Sequence, residues 1–311
     1  MGKLVRSLTT DGSIVASALD ATDMVARAEQ IHGTSAVVTA ALGRLLTAAS
    51  LMGFQLKGRD DSVTLRVDGG GPAGRLIAVS DSEGCVRGYA THPVVEIPLR
   101  PDGKLNVGGA VGTDGLLYVL RDSGGPEPYS GCTPLISGEI AEDITSYFAT
   151  SEQIPTVCAL GVLVNPDLTV RAAGGLLVQL LPFCPEEAIT RLEQNVASLD
   201  SMTAMLDRGL TPEGILQKVL AGFDYELLDT GEPVYRCTCS RERVLRAFSA
   251  LPPEEIRSLP DEKGMTEAVC HFCNAVYRFT SDEMEALAKR AEMGTDAEKN
   301  CPKPVDNPPG M

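Results

Sequence analysis

Apolar and polar residues alternate along Lys3–Thr9 and again along Ser13–Leu19, with Asp11-Gly12 between them, so the chain opens on a hairpin. The period then lengthens. Met24, Val25, Ala28 and Ile31 recur at helical spacing and stop at Gly33. A second helix starts at Thr34 or Ser35, both good caps, and runs to about Met52. Rich in Ala and Leu, it reads as a buried centrepiece. Between 62 and 182 short strands return: Val63–Val67, Arg75–Val79, Val86–Ala90 and Leu116–Arg121, separated by glycine-rich turns. Glu139–Ala149 is helical in pattern. Thr156–Val164 and Thr169–Leu181 are apolar runs folded together by Asn165-Pro166-Asp167. Strands and helices do not alternate regularly, so the fold class is α+β and not a doubly wound sheet.

Beyond Pro182-Phe183-Cys184-Pro185 the pattern changes. Ile189, Leu192 and Val196 form one helical stripe; Leu199, Met202, Met205, Leu206 and Leu210 a second; Ile215, Leu216, Val219 and Leu220 a third. Gly209, Pro212, Gly214 and Gly222 interrupt them, each costing about 1–3 kcal/mol if it falls inside a helix. Nine carboxylates against three bases in 184–231 add self-repulsion, so this stretch reads as a helical linker of marginal stability. The division expected is an N-terminal α+β domain at 1–183, the linker at 184–231, a small cysteine module at 232–290 with helices at Arg243–Ala250 and Ser281–Arg290, and a disordered tail at 291–311 rich in proline.

Charge and composition narrow the functions open to this chain. A net charge of −15 opposes binding to phosphate backbones and keeps a protein soluble while it exposes apolar surface. Met1-Gly2-Lys3-Leu4-Val5-Arg6 lacks the apolar core of a signal peptide, and Arg6 breaks the myristoylation pattern. Arg44 and several hydroxyl residues interrupt the most apolar helix, so no membrane span is expected. A reducing cytoplasm is the expected setting, where paired cysteines mean metal or redox chemistry. Two motifs carry little. Gly69-Gly70-Gly71-Pro72-Ala73-Gly74 lacks the Gly-Lys-Ser/Thr of a phosphate loop and reads as a turn between strands. His32 and His92 have no nucleophile partner and read as structural, so no catalytic residue is assigned.

The specific chemistry lies in four thiols. Cys237-Thr238-Cys239 is followed, after thirty residues, by Cys270-His271-Phe272-Cys273. Two close pairs can converge on one tetrahedral Zn²⁺, which takes four thiolates at about 2.3 Å. His271 would exceed that coordination. A disulfide closing the small Cys-Thr-Cys ring would be strained and labile. Three readings stay open on ligand chemistry: a structural zinc site, a zinc site that doubles as a thiol switch, and a catalytic dithiol. At about 60 residues the module is near the limit for a self-sufficient core, so a metal would supply most of its folding free energy. Arg236, Arg241, Arg243 and Arg246 crowd the first pair and would offset thiolate charge.

The run Tyr235-Arg236-Cys237-Thr238-Cys239-Ser240-Arg241-Glu242-Arg243, with Cys270-His271-Phe272-Cys273-Asn274 and Tyr277-Arg278-Phe279, closely resembles the zinc-binding end of the heat shock protein 33 family. The likeness extends upstream through Leu42-Gly43-Arg44, the Gly69–Gly74 run, Val86-Arg87-Gly88-Tyr89 and the Pro182 region. Ala36 and the tail with Cys301 depart from it. The resemblance implies a redox-regulated, ATP-independent holdase chaperone of the bacterial cytoplasm. It implies one Zn²⁺ per chain, held by Cys237, Cys239, Cys270 and Cys273 when reduced. Hypochlorite, or peroxide with heat, would join Cys237 to Cys239 and Cys270 to Cys273, and the metal would leave. The linker would then open, and Leu199, Met202, Met205, Leu206, Ile215, Leu216 and Val219 become candidate contacts for unfolding client proteins. Family members are dimeric when active and turn nothing over; the charge and the lack of a span leave neither nucleic acid nor membrane as an expected partner. Two rivals remain: a zinc-ribbon nucleic-acid regulator, and a thiol oxidoreductase working through Cys270 and Cys273.

Overall fold

The computed structural model describes residues 2–125 and 127–299. The opening alternation forms the expected hairpin, β1 (Lys3–Thr9) and β2 (Ile14–Asp20). Asp11 turns it by accepting the Ser13 N–H at 3.0 Å. Helix α1 (Thr22–His32) stops where Gly33 goes left-handed and returns its N–H to the Glu29 carbonyl. Helix α2 (Ala36–Gly53) is buried at every residue except Ala36 and Arg44. By length and composition α2 would also cross a membrane, but 89% of it lies buried inside the fold.

Strands β3 (Ser62–Asp68), β4 (Leu76–Asp81), β5 (Val86–Ala90), β6 (Leu116–Asp122) and β7 (Tyr129–Pro134) build one five-stranded sheet in the order β5-β4-β3-β6-β7. Short helix α3 (Val107–Val111) receives the Gly69–Gly74 turn: Gly71 and Ala73 donate their N–H groups to Val111 and Ala110 carbonyls at 2.9 Å. A strand, not a helix, follows that turn. The expected helix at Glu139–Ala149 is shorter, α4 (Ala141–Tyr147), and continues as a π-helical turn over Phe148–Glu152. Strands β8 (Thr156–Val164) and β9 (Val170–Leu180) close antiparallel. The linker supplies α5 (Glu186–Ala197), α6 (Met202–Asp207), α7 (Pro212–Val219) and β10 (Tyr225–Gly231). The second sheet runs β10-β1-β2-β9-β8, and α2 packs on strands of both sheets.

The helical reading of 184–231 therefore ends at α7; its last seven residues form an edge strand on β1. No local period marks Tyr225–Gly231, because its conformation is set by a partner more than two hundred residues upstream. The penalty assigned to the breakers also needs correction. Pro212 sits in the first turn of α7, capped by Thr211, while Gly209 and Gly222 take positive φ beyond helix ends. Only Gly214 lies within a helix. These helices are too short to be stable alone and depend on the sheet beneath them. In β9, Ala173 and Leu177 face the α2 cluster, whereas Leu176 and Val178 face the linker with Val5, Ala16 and Ala18. Cross-strand partners Gly161 and Gly174 let α6 approach the sheet closely. A Cβ on Gly161 would lie 2.8 Å from Thr203 Cγ2, and one on Gly174 2.5 Å from Leu206 Cδ1.

After Cys237 the chain divides into a second compact unit. It holds α8 (Arg241–Phe248), α9 (Pro253–Ser258), a hairpin of β11 (Met265–Val269) and β12 (Val276–Thr280), and α10 (Ser281–Lys299). Ile256, Phe279, Met284 and Ala288 are its buried core, with Phe248 edge-on to Phe279 at 5.6 Å. Helix α10 runs through 291–299, part of the stretch that composition assigns to the tail, since no glycine or proline after Gly294 interrupts it before Pro302. Cys301 and the rest of that tail lie outside the described residues.

Candidate metal centre

The second cysteine pair is built by the β11–β12 hairpin. Cys270 donates its N–H to the Ala275 carbonyl at 2.9 Å, and its own carbonyl accepts from Cys273 (3.3 Å) and Asn274 (2.8 Å). Asn274 takes φ 57°, a left-handed conformation that asparagine tolerates better than most residues. This tight turn faces Cys270 and Cys273 inward together. The first pair lies in a stretch without regular helix or strand, ended by Ser240, whose hydroxyl caps α8 by accepting the Arg243 N–H. On an extended chain, residues two apart project from the same side, which suits Cys-Thr-Cys to a shared ligand.

All four Sγ atoms, of Cys237, Cys239, Cys270 and Cys273, lie within 4.8 Å of one another. The Cys239 and Cys273 sulfurs lie 3.3 Å apart. Tetrahedral zinc thiolates place their sulfurs about 3.8 Å apart, given Zn–S near 2.3 Å. The donor set, four thiols with separations bracketing that value, therefore fits a soft-to-borderline divalent ion. Tyr277 on β12 donates its hydroxyl to Cys239 Sγ at 3.0 Å. The phenol is pushed up to about 12, first by this hydrogen bond and then by burial, so it stays a donor at neutral pH. His271 sits exposed in the turn and is not among the converging groups.

The remaining described cysteines stand apart from this cluster. Burial pushes the Cys85 thiol up, and pushes Cys158, packed against the main core, up to about 12, so both are poor nucleophiles. The basic residues near the first pair are engaged elsewhere than expected. Arg236 bridges Asp81 (2.8 Å) and Glu83 (2.7 Å). Arg241 pairs with Glu283 at 2.6 Å and stacks on Phe279, while Arg243 donates to the Thr238 hydroxyl. The guanidiniums of Arg236 and Arg241 both meet carboxylates.

The residues immediately before Cys237 are firmly tied down within the first unit. Tyr235 bridges in parallel to Val86; Val86 donates to the Val234 carbonyl (2.9 Å) and Arg236 to the Val86 carbonyl (2.7 Å). The Tyr235 hydroxyl reaches His32 Nε2 (3.1 Å) and donates to the Gly88 carbonyl (2.8 Å). His32 thus has a structural partner, and His92 likewise contacts the Pro72 carbonyl. Sequence reading quoted Tyr235, Arg236 and Tyr277 within the cysteine motif but assigned no role to either tyrosine. The candidate client contacts are covered: Met202, Met205, Ile215, Leu216 and Val219 are buried against the sheet, and Leu199 and Leu206 partly so.

Comparison with known proteins bears directly on this cluster. Residues 2–280 match the family described as Hsp33 protein. The chain is 48% identical over 284 residues to the 33 kDa chaperonin of Agathobacter rectalis, covering 91% of this chain and 98% of that one. It is 44% identical over 287 residues to the 33 kDa chaperonin of Bacillus subtilis, covering 92% and 98%. Among solved structures, the 33 kDa chaperonin (heat shock protein 33 homolog) of Thermotoga maritima superposes with a TM-score of 0.84 at 35% identity, covering 94% of this chain and 99% of that one.

Proposed function

The chain belongs to the Hsp33 family, and we propose that it is a redox-regulated, ATP-independent holdase that captures unfolding proteins under oxidative stress. The observation that carries this reading is the convergence of four thiols inside a module with only four fully buried apolar side chains among the described residues. Zn²⁺ bound there, one per chain in the reduced state, supplies the crosslink that so small a core lacks. Cys237, Cys239, Cys270 and Cys273 hold it as thiolates. Oxidation joins Cys237 to Cys239 and Cys270 to Cys273; sulfurs in disulfides no longer serve as thiolate ligands, and the module at 232–290 loses its support. The linker at 184–231 then leaves the sheet. Its buried stripe, Met202, Met205, Ile215, Leu216 and Val219 with Leu199 and Leu206, becomes available to clients together with the sheet face it covered.

The protein acts in the cytoplasm, as a homodimer when active, by binding and without turnover. Neither rival gains support. The guanidiniums of Arg236, Arg241, Arg257 and Arg278 sit on carboxylates, which offsets their attraction for phosphates, in a chain of net charge −15. A thiol oxidoreductase needs an accessible dithiol poised for exchange, whereas here four thiols share one centre. The deciding experiment measures aggregation of a thermally unfolding client with reduced and with oxidised protein. Strong suppression by the oxidised form alone is expected; equal behaviour in both states would remove redox control.

A further inference from the structure

Among the side chains around the thiols, Tyr277 stands out because its hydroxyl is aimed at a sulfur. It lies on β12, opposite Ala268 of β11, so the hairpin ladder fixes its ring. Its hydroxyl donates to Cys239 Sγ at 3.0 Å, and that same sulfur lies 3.3 Å from Cys273. The hydrogen bond crosses from the hairpin that makes the second pair to the sulfur of the first. A donor beyond the ligand shell draws charge from a bound thiolate and fixes its direction, and outer partners of this kind are worth roughly 10–100-fold in metal affinity.

We propose that Tyr277 is a positioning residue for the redox switch: its hydroxyl holds Cys239 on the Cys273 side of the centre and thereby restrains closure of the Cys237–Cys239 disulfide. This rests on the metal and disulfide reading above. With peroxide as oxidant, one thiolate of the pair attacks an oxygen; the O–O bond breaks, and sulfur keeps one oxygen as a sulfenic acid while the other leaves as water. The partner thiol then attacks that sulfur, the S–O bond breaks, and a second water departs as the S–S bond forms. Two sulfurs lose two electrons in all and one peroxide gains them. For either order of attack the Cys237 and Cys239 sulfurs must close to about 2.05 Å, a turn of Cys239 that strains its hydrogen bond from Tyr277. The hydrogen bond opposes that turn, and it also withdraws from Cys239 the lone-pair density that would attack peroxide.

The test uses the full-length reduced protein. Zinc affinity is measured by competition with a chromophoric chelator, and the two disulfides are quantified separately by mass spectrometry during partial peroxide oxidation. Tyr277→Phe is expected to weaken zinc binding about tenfold and to speed Cys237–Cys239 formation several-fold relative to Cys270–Cys273. Replacing Tyr277 with p-aminophenylalanine keeps a donor at the same reach and is expected to restore both. Unchanged affinity and unchanged disulfide order in Tyr277→Phe overturn the proposal, as does equal acceleration of both pairs, which a purely structural loss would give. Should Tyr277→Phe fail to fold, the p-aminophenylalanine form decides alone: parent-like affinity and disulfide order support it, and loss of either overturns it. A parent protein without zinc, or without these two disulfides, overturns the metal reading first and this proposal with it.

Discussion

Thirty-eight buried apolar residues form one continuous cluster around α2, whereas the unit after Cys237 contributes four, Ile256, Phe279, Met284 and Ala288, among the described residues. The first cluster draws on two sheets and holds by packing alone. The second is a hairpin with three helices around one phenylalanine, near the size at which burial only just offsets chain entropy. Between these extremes lies the linker, whose helices bury one stripe on a sheet that is already complete without them. The difference teaches where control can sit. A region held by many weak contacts has no single group whose modification releases it, whereas a small core beside four converging thiols offers one.

Removing the metal is the harshest way to test that contrast. A chelator strong enough to strip zinc from the reduced protein should cost the module on the order of 10–16 kcal/mol of apparent folding free energy. Amide exchange should then become fast in β11 and β12 while α2 stays protected. Protection persisting in β11 and β12 without metal would mean that the small core suffices. Cys270→Ser should behave alike, with zinc content falling from one per chain towards none.

A side-chain deletion in each core is the next largest perturbation. Phe279→Ala should cost about 3–5 kcal/mol and Leu46→Ala about 2–5 kcal/mol. Equal costs should nonetheless have unequal effects. Phe279→Ala should lower the peroxide concentration needed to release zinc, since little else holds the module together. Leu46→Ala should lower the melting temperature of the first unit and leave zinc release where it was. A shift in zinc release with Leu46→Ala would erase the distinction between the two.

The parts of this contrast legible in the sequence were those fixed by local chemistry. Cysteine spacing announced the four thiols that converge, and helical or alternating periods placed α1, α2 and most strands of the first unit within a residue or two. What escaped was set by partners far along the chain. β10 needs β1, β7 needs β6, and the β11–β12 ladder shows no clean alternation because it covers so small a core. Tyr277 was visible as a residue, but its hydrogen bond reaches a cysteine thirty-eight positions earlier. The linker's breakers misled for a related reason: composition counts Gly209, Pro212 and Gly222 but cannot tell a helix interior from its end.

The linker can be tested without touching a cysteine. Gly161→Val would drive its side chain into Thr203 of α6, an overpacking that costs about 1–3 kcal/mol and is most cheaply relieved by lifting α6 off. The reduced variant should keep its zinc, suppress client aggregation part-way, and be cut by protease first within 186–220. Full zinc with no gain in aggregation suppression would separate linker release from client binding.

The smallest effect sharpens the comparison through pH. Lys3 of β1 pairs with Glu213 of α7, and that hydrogen bond holds the Glu213 carboxyl below its usual value of 4.5. A depressed folded-state pKa stabilises above the unfolded pKa, and the contribution fades as pH falls through the folded value. Both side chains are substantially exposed, so the pair is worth less than about 1 kcal/mol. Acidification below about pH 4.5 should therefore loosen α7 slightly before the main core responds, and Glu213→Gln should flatten that part of the profile while leaving neutral-pH zinc content unchanged. Helix α2 carries the Arg44–Glu139 pair but is buried along nearly its whole length, so amide exchange in α2 should stay level over the same interval. A parallel rise in α2 and α7 exchange would show the linker and the core melting as one body, in which case the sheet transmits what the sulfurs start.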